Sequence, residues 1–134
     1  MKVLFVCIGN TCRSPMAEAL FNYESNKRGN GDEARSAGLR PYSHITNDAV
    51  EVMSELGIDI SSHTPKGLST EMVDWADKII LLDRYVKDEL INIPFNEKDD
   101  IIVWDIEDPF NTSKDNFRRV RDLLHKKILE LPSN

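Results

Sequence analysis

The apolar residues of the chain come first as an unbroken run, Val3-Leu4-Phe5-Val6. It is too short for a helix and shows no alternation, which is the pattern of a strand covered on both faces. A polar stretch follows, and Met16, Ala19, Leu20 and Tyr23 then recur at helical spacing behind Ser14-Pro15, with Ser14 read as the N-cap and Pro15 as the first helical residue. Lys27 to Gly31 stops that helix, and Glu33 to Gly38 reads as a short second strand. From Leu39 to Ile45 the chain is irregular. Thr46 caps a helix bearing Ala49, Val50, Val52, Met53 and Leu56, which Gly57 ends in a left-handed conformation.

Ile58 to Gly67 is polar and turn-rich, a surface loop leading to a short helix near Thr70 to Trp75. Lys78 to Leu82 is a third strand of the doubly covered kind, with Asp83 at its carboxyl end, and a helix from about Arg84 to Ile91 stops before Pro94. Asp100 to Val103 is a fourth strand, and Trp104 to Phe110 is a loop stiffened by Pro109. In the last helix Phe117, Val120, Leu123, Leu124, Ile128 and Leu131 form one stripe, while Lys114, Asp115, Arg118, Arg119, Arg121, Asp122, Lys126 and Lys127 read as its solvated face. Strands alternating with helices predict an α/β fold: three layers, α/β/α, around a central four-stranded parallel sheet with right-handed crossovers. Ligands of such sheets bind at the carboxyl ends of the strands, so the loops holding Cys7 and Asp108 are expected to open on the same edge.

At 134 residues and 40% apolar content, residues 1–134 are expected to form a single domain with its own core. Lys and Arg total 17 against 23 Asp and Glu, for a net charge of −6, which argues against nucleic acid or an anionic membrane as the main partner. No stretch has the length of a signal peptide's or a membrane span's apolar segment. Cys7 and Cys12 are too close in sequence to staple distant parts of a secreted fold, so a cytoplasmic location is expected.

The chemistry concentrates in Cys7-Ile8-Gly9-Asn10-Thr11-Cys12-Arg13-Ser14-Pro15, a loop between a strand and a helix N-terminus. Backbone N–H groups at a helix start have no internal partner and carry partial positive charge, so they suit a phosphate-like dianion, and Arg13 adds a planar fork for two of its oxygens. The same field favours the thiolate, the nucleophilic form of Cys7. Gly9 and Asn10 are residue types that accept left-handed backbone angles, which would turn successive N–H groups toward one point, and Ser14 is placed to donate to the Cys7 sulfur. A nucleotide-binding loop is excluded, since no G-x-x-x-x-G-K-[ST] occurs. His44, His63 and His125 share no ligand spacing with one another or with the cysteines; they read as surface or loop residues, and no metal or cofactor is expected.

The string C-I-G-N-T-C-R-S-P at the start of the chain resembles the low-molecular-weight protein tyrosine phosphatase family, as do Ser36-Ala37-Gly38 and the Gly57-Ile58-Asp59…His63 segment. The resemblance implies a flavodoxin-like, doubly wound fold and hydrolysis of phosphomonoesters through a phosphocysteine on Cys7. Arg13 then holds the phosphate, and Ile8, Gly9, Asn10, Thr11, Cys12 and Ser14 supply the rest of the cradle and its support. Three acids compete for protonating the leaving group, Asp105, Glu107 and Asp108; the resemblance selects Asp108, because the family presents its general acid as Asp-Pro-aromatic. Tyr42 and Phe110 are expected to wall the pocket. Cys12 is either a small core residue or the partner of a reversible disulfide with Cys7, and the resemblance favours the second. The partners implied are a phosphorylated protein and, as product or inhibitor, phosphate or another oxyanion.

The same scaffold resembles arsenate reductases and protein arginine phosphatases. The first relay electrons through cysteines well downstream of the loop, and this chain has none after Cys12. The second resemble it in Thr11 and in Phe110 after Asp-Pro. A phosphoprotein-binding module without turnover would lack the nucleophile or the arginine, and both are present. Val86 departs from the asparagine of many relatives, so some loop support is expected to differ.

Overall fold

The computed structural model describes residues 1–89 and 100–132. Among the described residues nine elements follow in order: β1 (Lys2–Cys7), α1 (Arg13–Arg28), β2 (Glu33–Gly38), α2 (Asn47–Ser54), α3 (Thr70–Trp75), β3 (Lys78–Leu81), α4 (Arg84–Glu89), β4 (Asp100–Val103) and α5 (Lys114–Leu129). The expected continuation of α4 to Ile91, and Pro94 as its stop, lie outside the described residues.

The strands form one parallel sheet in the order β2-β1-β3-β4, with Val6 opposite both Ala37 and Leu81. Strand residues alternate in direction, so β1 sends Val3, Phe5 and Cys7 into a core shared with α1, α2 and α5, and Leu4 and Val6 into a second core under α3 and α4. Both faces of β1 are therefore covered, as its unbroken apolar run requires. Phe5 packs against Phe21 and Trp104 at ring-centroid distances of 6.2 and 6.0 Å. Val86 is fully buried in the second core, which explains an apolar residue at that position.

Several expectations are corrected. Helix α1 begins at Arg13, with Cys12 rather than Ser14 in the N-cap position, because the Ser14 hydroxyl is engaged inside the loop. Pro15 is thus the third residue of the first turn, where a missing N–H is still harmless. Tyr23 turns outward, 41% exposed, with the Lys27 ammonium 5.4 Å from its ring, and Leu56 lies beyond the end of α2 and is exposed. Arg121 is not on a solvated face: it is buried, donates to the Val52 carbonyl at 2.8 Å and to Glu55 at 2.7 Å, and so ties α5 to the end of α2. Arg118 adds a second set of bonds to the same carboxylate, which holds Glu55 down to a pKa of about 2.

Replacing Arg121 with alanine leaves a buried carbonyl without its donor. We expect a loss of about 1–3 kcal/mol in urea unfolding at neutral pH, the cost of an orphaned buried acceptor.

Candidate active site

The loop from Cys7 to Arg13 leaves the carboxyl end of β1 and turns back into α1 within five residues. The segment after β2 controls its shape. Leu39, Arg40, Tyr42 and Thr46 donate their backbone N–H groups to the carbonyls of Cys7, Ile8, Gly9 and Thr11 at 2.9–3.1 Å, and the Thr46 hydroxyl adds a second bond to Thr11. A trans peptide carries its N–H opposite its C=O. With these carbonyls drawn outward, the N–H groups of Ile8, Gly9, Asn10 and Cys12 face the inside of the loop. Asn10 shows the result directly, its N–H reaching the Cys7 sulfur at 3.2 Å.

Close approach of the two segments depends on glycine. A Cβ on Gly38 would stand 2.6 Å from the Ile8 carbonyl oxygen and 2.9 Å from the Asn10 nitrogen, and one on Gly9 would stand 3.2 Å from the Tyr42 ring. Of the two residues expected to take left-handed angles, only Asn10 does so, with φ 55°. Gly9 serves space rather than backbone angle.

Asn10 is fully buried and holds the loop from beneath. Its amide nitrogen donates to Ser14 at 2.7 Å and Ser36 at 3.0 Å, while its oxygen faces His63 Nε2 at 3.1 Å and accepts the Lys66 backbone N–H at 3.0 Å. The Ser14 oxygen, which accepts from Asn10, lies 2.9 Å from the Cys7 sulfur, a pairing the sequence led us to expect. His63, expected at the surface or in a loop without further role, instead supports this buried hub. Burial, with the charge of Lys66 second, lowers its pKa to about 4. Glu18 accepts from Ser36 at 3.0 Å, and burial raises its pKa.

Arg13 is buried, and its Nη1 is committed to the protein: the carbonyls of Leu82 and Ile106 at 3.2 and 2.9 Å, and Asp83 at 2.9 Å. Its Nη2 lies 3.6 Å from the Asp108 carboxylate. One guanidinium therefore joins the ends of β1 and β3 and the loop after β4. That loop is held further by the Phe110 N–H on Asp108 Oδ1 at 3.1 Å and by an ion pair between Glu107 and Arg119 of α5. Glu107 thus faces α5, and of the three competing acids Asp108 lines the pocket.

The pocket has a volume of about 100 Å³ and is lined by Cys7, Ile8, Gly9, Thr11, Cys12 and Arg13 from the loop, with Asp83, Asp108, Tyr42 and Phe110 around its mouth. The Tyr42 and Phe110 rings stand 6.0 Å apart at 57°. Cys7 and Cys12 are both free thiols. Cys12 touches the Thr46 and Thr11 hydroxyls at 3.4 and 3.7 Å, and burial pushes its pKa up. Sequence reasoning missed Ser36, His63, Lys66 and Asp83 as supporting residues; an acid at the carboxyl end of a parallel strand was the available signal for Asp83.

A nucleophilic thiol in an anion cradle, with a carboxylate at its mouth, defines a cysteine-based phosphatase site on an α/β sheet. The chain belongs to the low molecular weight phosphotyrosine protein phosphatase family, whose model matches residues 2–133. It is 34% identical to a protein-arginine-phosphatase of Bacillus subtilis, over 98% of this chain and 94% of that one, and 32% identical to arsenate reductase 1 of Staphylococcus haemolyticus, over 96% and 92%. Among solved structures, the low molecular weight protein tyrosine phosphatase of T. tengcongensis superposes with a TM-score of 0.88 at 37% identity, covering 96% of this chain and 95% of the other.

The depressed pKa of His63 has a pH signature. Between about 6.5 and about 4 the unfolded chain takes up a proton that the folded His63 refuses, so this residue makes stability fall as pH drops through that window. His63→Gln keeps a donor for Asn10 and removes the titration. Its stability, from urea midpoints, is expected to fall less steeply than the parent's between pH 6.5 and 4; comparing the two also separates His63 from Glu18, whose raised pKa acts in the opposite direction.

Proposed function

We propose that residues 1–134 form a single phosphatase domain, active in the cytoplasm, that hydrolyses phosphorylated protein side chains through a phosphocysteine on Cys7. The observation that carries this reading is the convergence of Cys7, Arg13 and Asp108 on one pocket at the N-terminus of α1. In the first step the Cys7 sulfur attacks phosphorus, an S–P bond forms, and the bond from phosphorus to the leaving oxygen breaks. That oxygen takes the proton of Asp108, an assistance worth about 10²–10⁴-fold. In the second step Asp108, now a carboxylate, takes a proton from water as the water oxygen attacks phosphorus; the S–P bond breaks and phosphate departs. Charge on the equatorial oxygens is met by the inward N–H groups of the loop and by the part of the Arg13 guanidinium not held by Leu82, Asp83 and Ile106.

Cys7→Ser is expected to abolish turnover of p-nitrophenyl phosphate. Asp108→Asn should slow substrates with poor leaving groups about 10²–10⁴-fold and p-nitrophenyl phosphate much less. Equal losses on both kinds of substrate would remove Asp108 as the acid.

A second reading, an arginine phosphatase, is favoured by Thr11, whose side chain lines the pocket beside Cys12. A hydroxyl there can accept a guanidinium N–H, which a tyrosyl ester does not offer. Parallel assays on phosphotyrosine and phosphoarginine peptides distinguish the two, and under the second reading Thr11→Val lowers kcat/KM for the phosphoarginine peptide while sparing the phosphotyrosine one.

A further inference from the structure

The Phe110 ring belongs to two cavities. One is the Cys7 pocket; the other is a wider groove of about 820 Å³ that Phe110 also lines. This groove runs between the residues entering α2 and the loop entering α5, and His44, Asn47, Asp48, Asn111 and Thr112 line it together with Phe110.

Both walls are fixed to the catalytic loops. Thr46 is bonded to Thr11 through its backbone and its hydroxyl. Asn111 takes φ 62°, and the Thr112 N–H closes a turn on the Pro109 carbonyl at 3.0 Å. A phosphorylated side chain seated on Cys7 leaves its own backbone at the mouth, beside Phe110, from which the groove is the adjoining channel. The lining holds one carboxylate, Asp48, and no lysine or arginine, while the nearby Lys114 ammonium is paired with Glu51. The charge therefore favours a cation.

We propose that this groove receives the polypeptide flanking the phosphorylated residue and that Asp48 selects a basic side chain there. The inference rests on the phosphatase reading above. An ion pair in an open groove is weak, so the preference for lysine over alanine is expected at about two- to fivefold, and it fades with added salt. It appears in KM rather than kcat, because a contact remote from phosphorus is made equally in the ground and transition states.

The experiment measures kcat and KM for phosphopeptides with Lys, Ala or Glu within two residues of the phosphorylated one, each normalised to p-nitrophenyl phosphate turnover by the same enzyme. The parent should prefer Lys over Ala over Glu, Asp48→Asn should lose the preference, and Asp48→Lys should reverse it. A parent indifferent to the flanking charge, or an order unchanged in Asp48→Lys, overturns the inference while leaving the phosphatase reading intact. A parent inert toward p-nitrophenyl phosphate and all peptides defeats both.

Discussion

A loop that binds an anion through its N–H groups must send its carbonyls elsewhere, and here that requirement organises the site. The carbonyls of Cys7, Ile8, Gly9 and Thr11 are each taken by a backbone N–H of the segment 39–46. The segment in effect continues β2 alongside the loop, and Gly38 is the point of closest approach, where a methyl group would meet the Ile8 oxygen. Parallel pairing of β1 with β2, in register from Lys2 and Glu33 to Cys7 and Gly38, delivers both segments to the same place. The fold thus reaches the chemistry through the sheet's own hydrogen bonding, carried one step past the strand ends.

Below the loop the constraint is different, because Asn10 is buried and every polar atom on its side chain needs a partner. Ser14, Ser36, His63 and the Lys66 backbone supply them. Burial pushes Glu18 and His63, adjoining members of the network, toward their uncharged forms, one upward and one downward. The consequence for the nucleophile is local, since the bond from Asn10 holds the Ser14 hydroxyl 2.9 Å from the Cys7 sulfur.

The sheet and its four strands are legible in the amino-acid order, because doubly covered strands and amphipathic helices are local patterns. The bounds of β2, the place of α3 and the left-handed Gly57 follow from residue types alone. What is illegible arises from pairing across the chain. Ser14 is a good N-cap by type and is diverted by Asn10 and Cys7; Arg121 is a surface residue by type and is buried by a carbonyl 69 positions away. His63 sits in a turn-rich stretch, and nothing within that stretch says that Asn10 lies beyond it. In each instance residue type points a polar side chain to its commonest role, and a distant partner gives it another.

The parts of the site also divide by what they answer to. Cys7, the loop amides and Arg13 are set by backbone pairing and by bonds to Leu82, Asp83 and Ile106, contacts in which the identity of a substrate plays no part. Thr11, Tyr42 and Phe110 touch the pocket through their side chains, each on a backbone already held for another reason. The geometry of the cradle and the side chains that line it thus answer to different contacts. That separation is a physical basis for one fold serving several related activities.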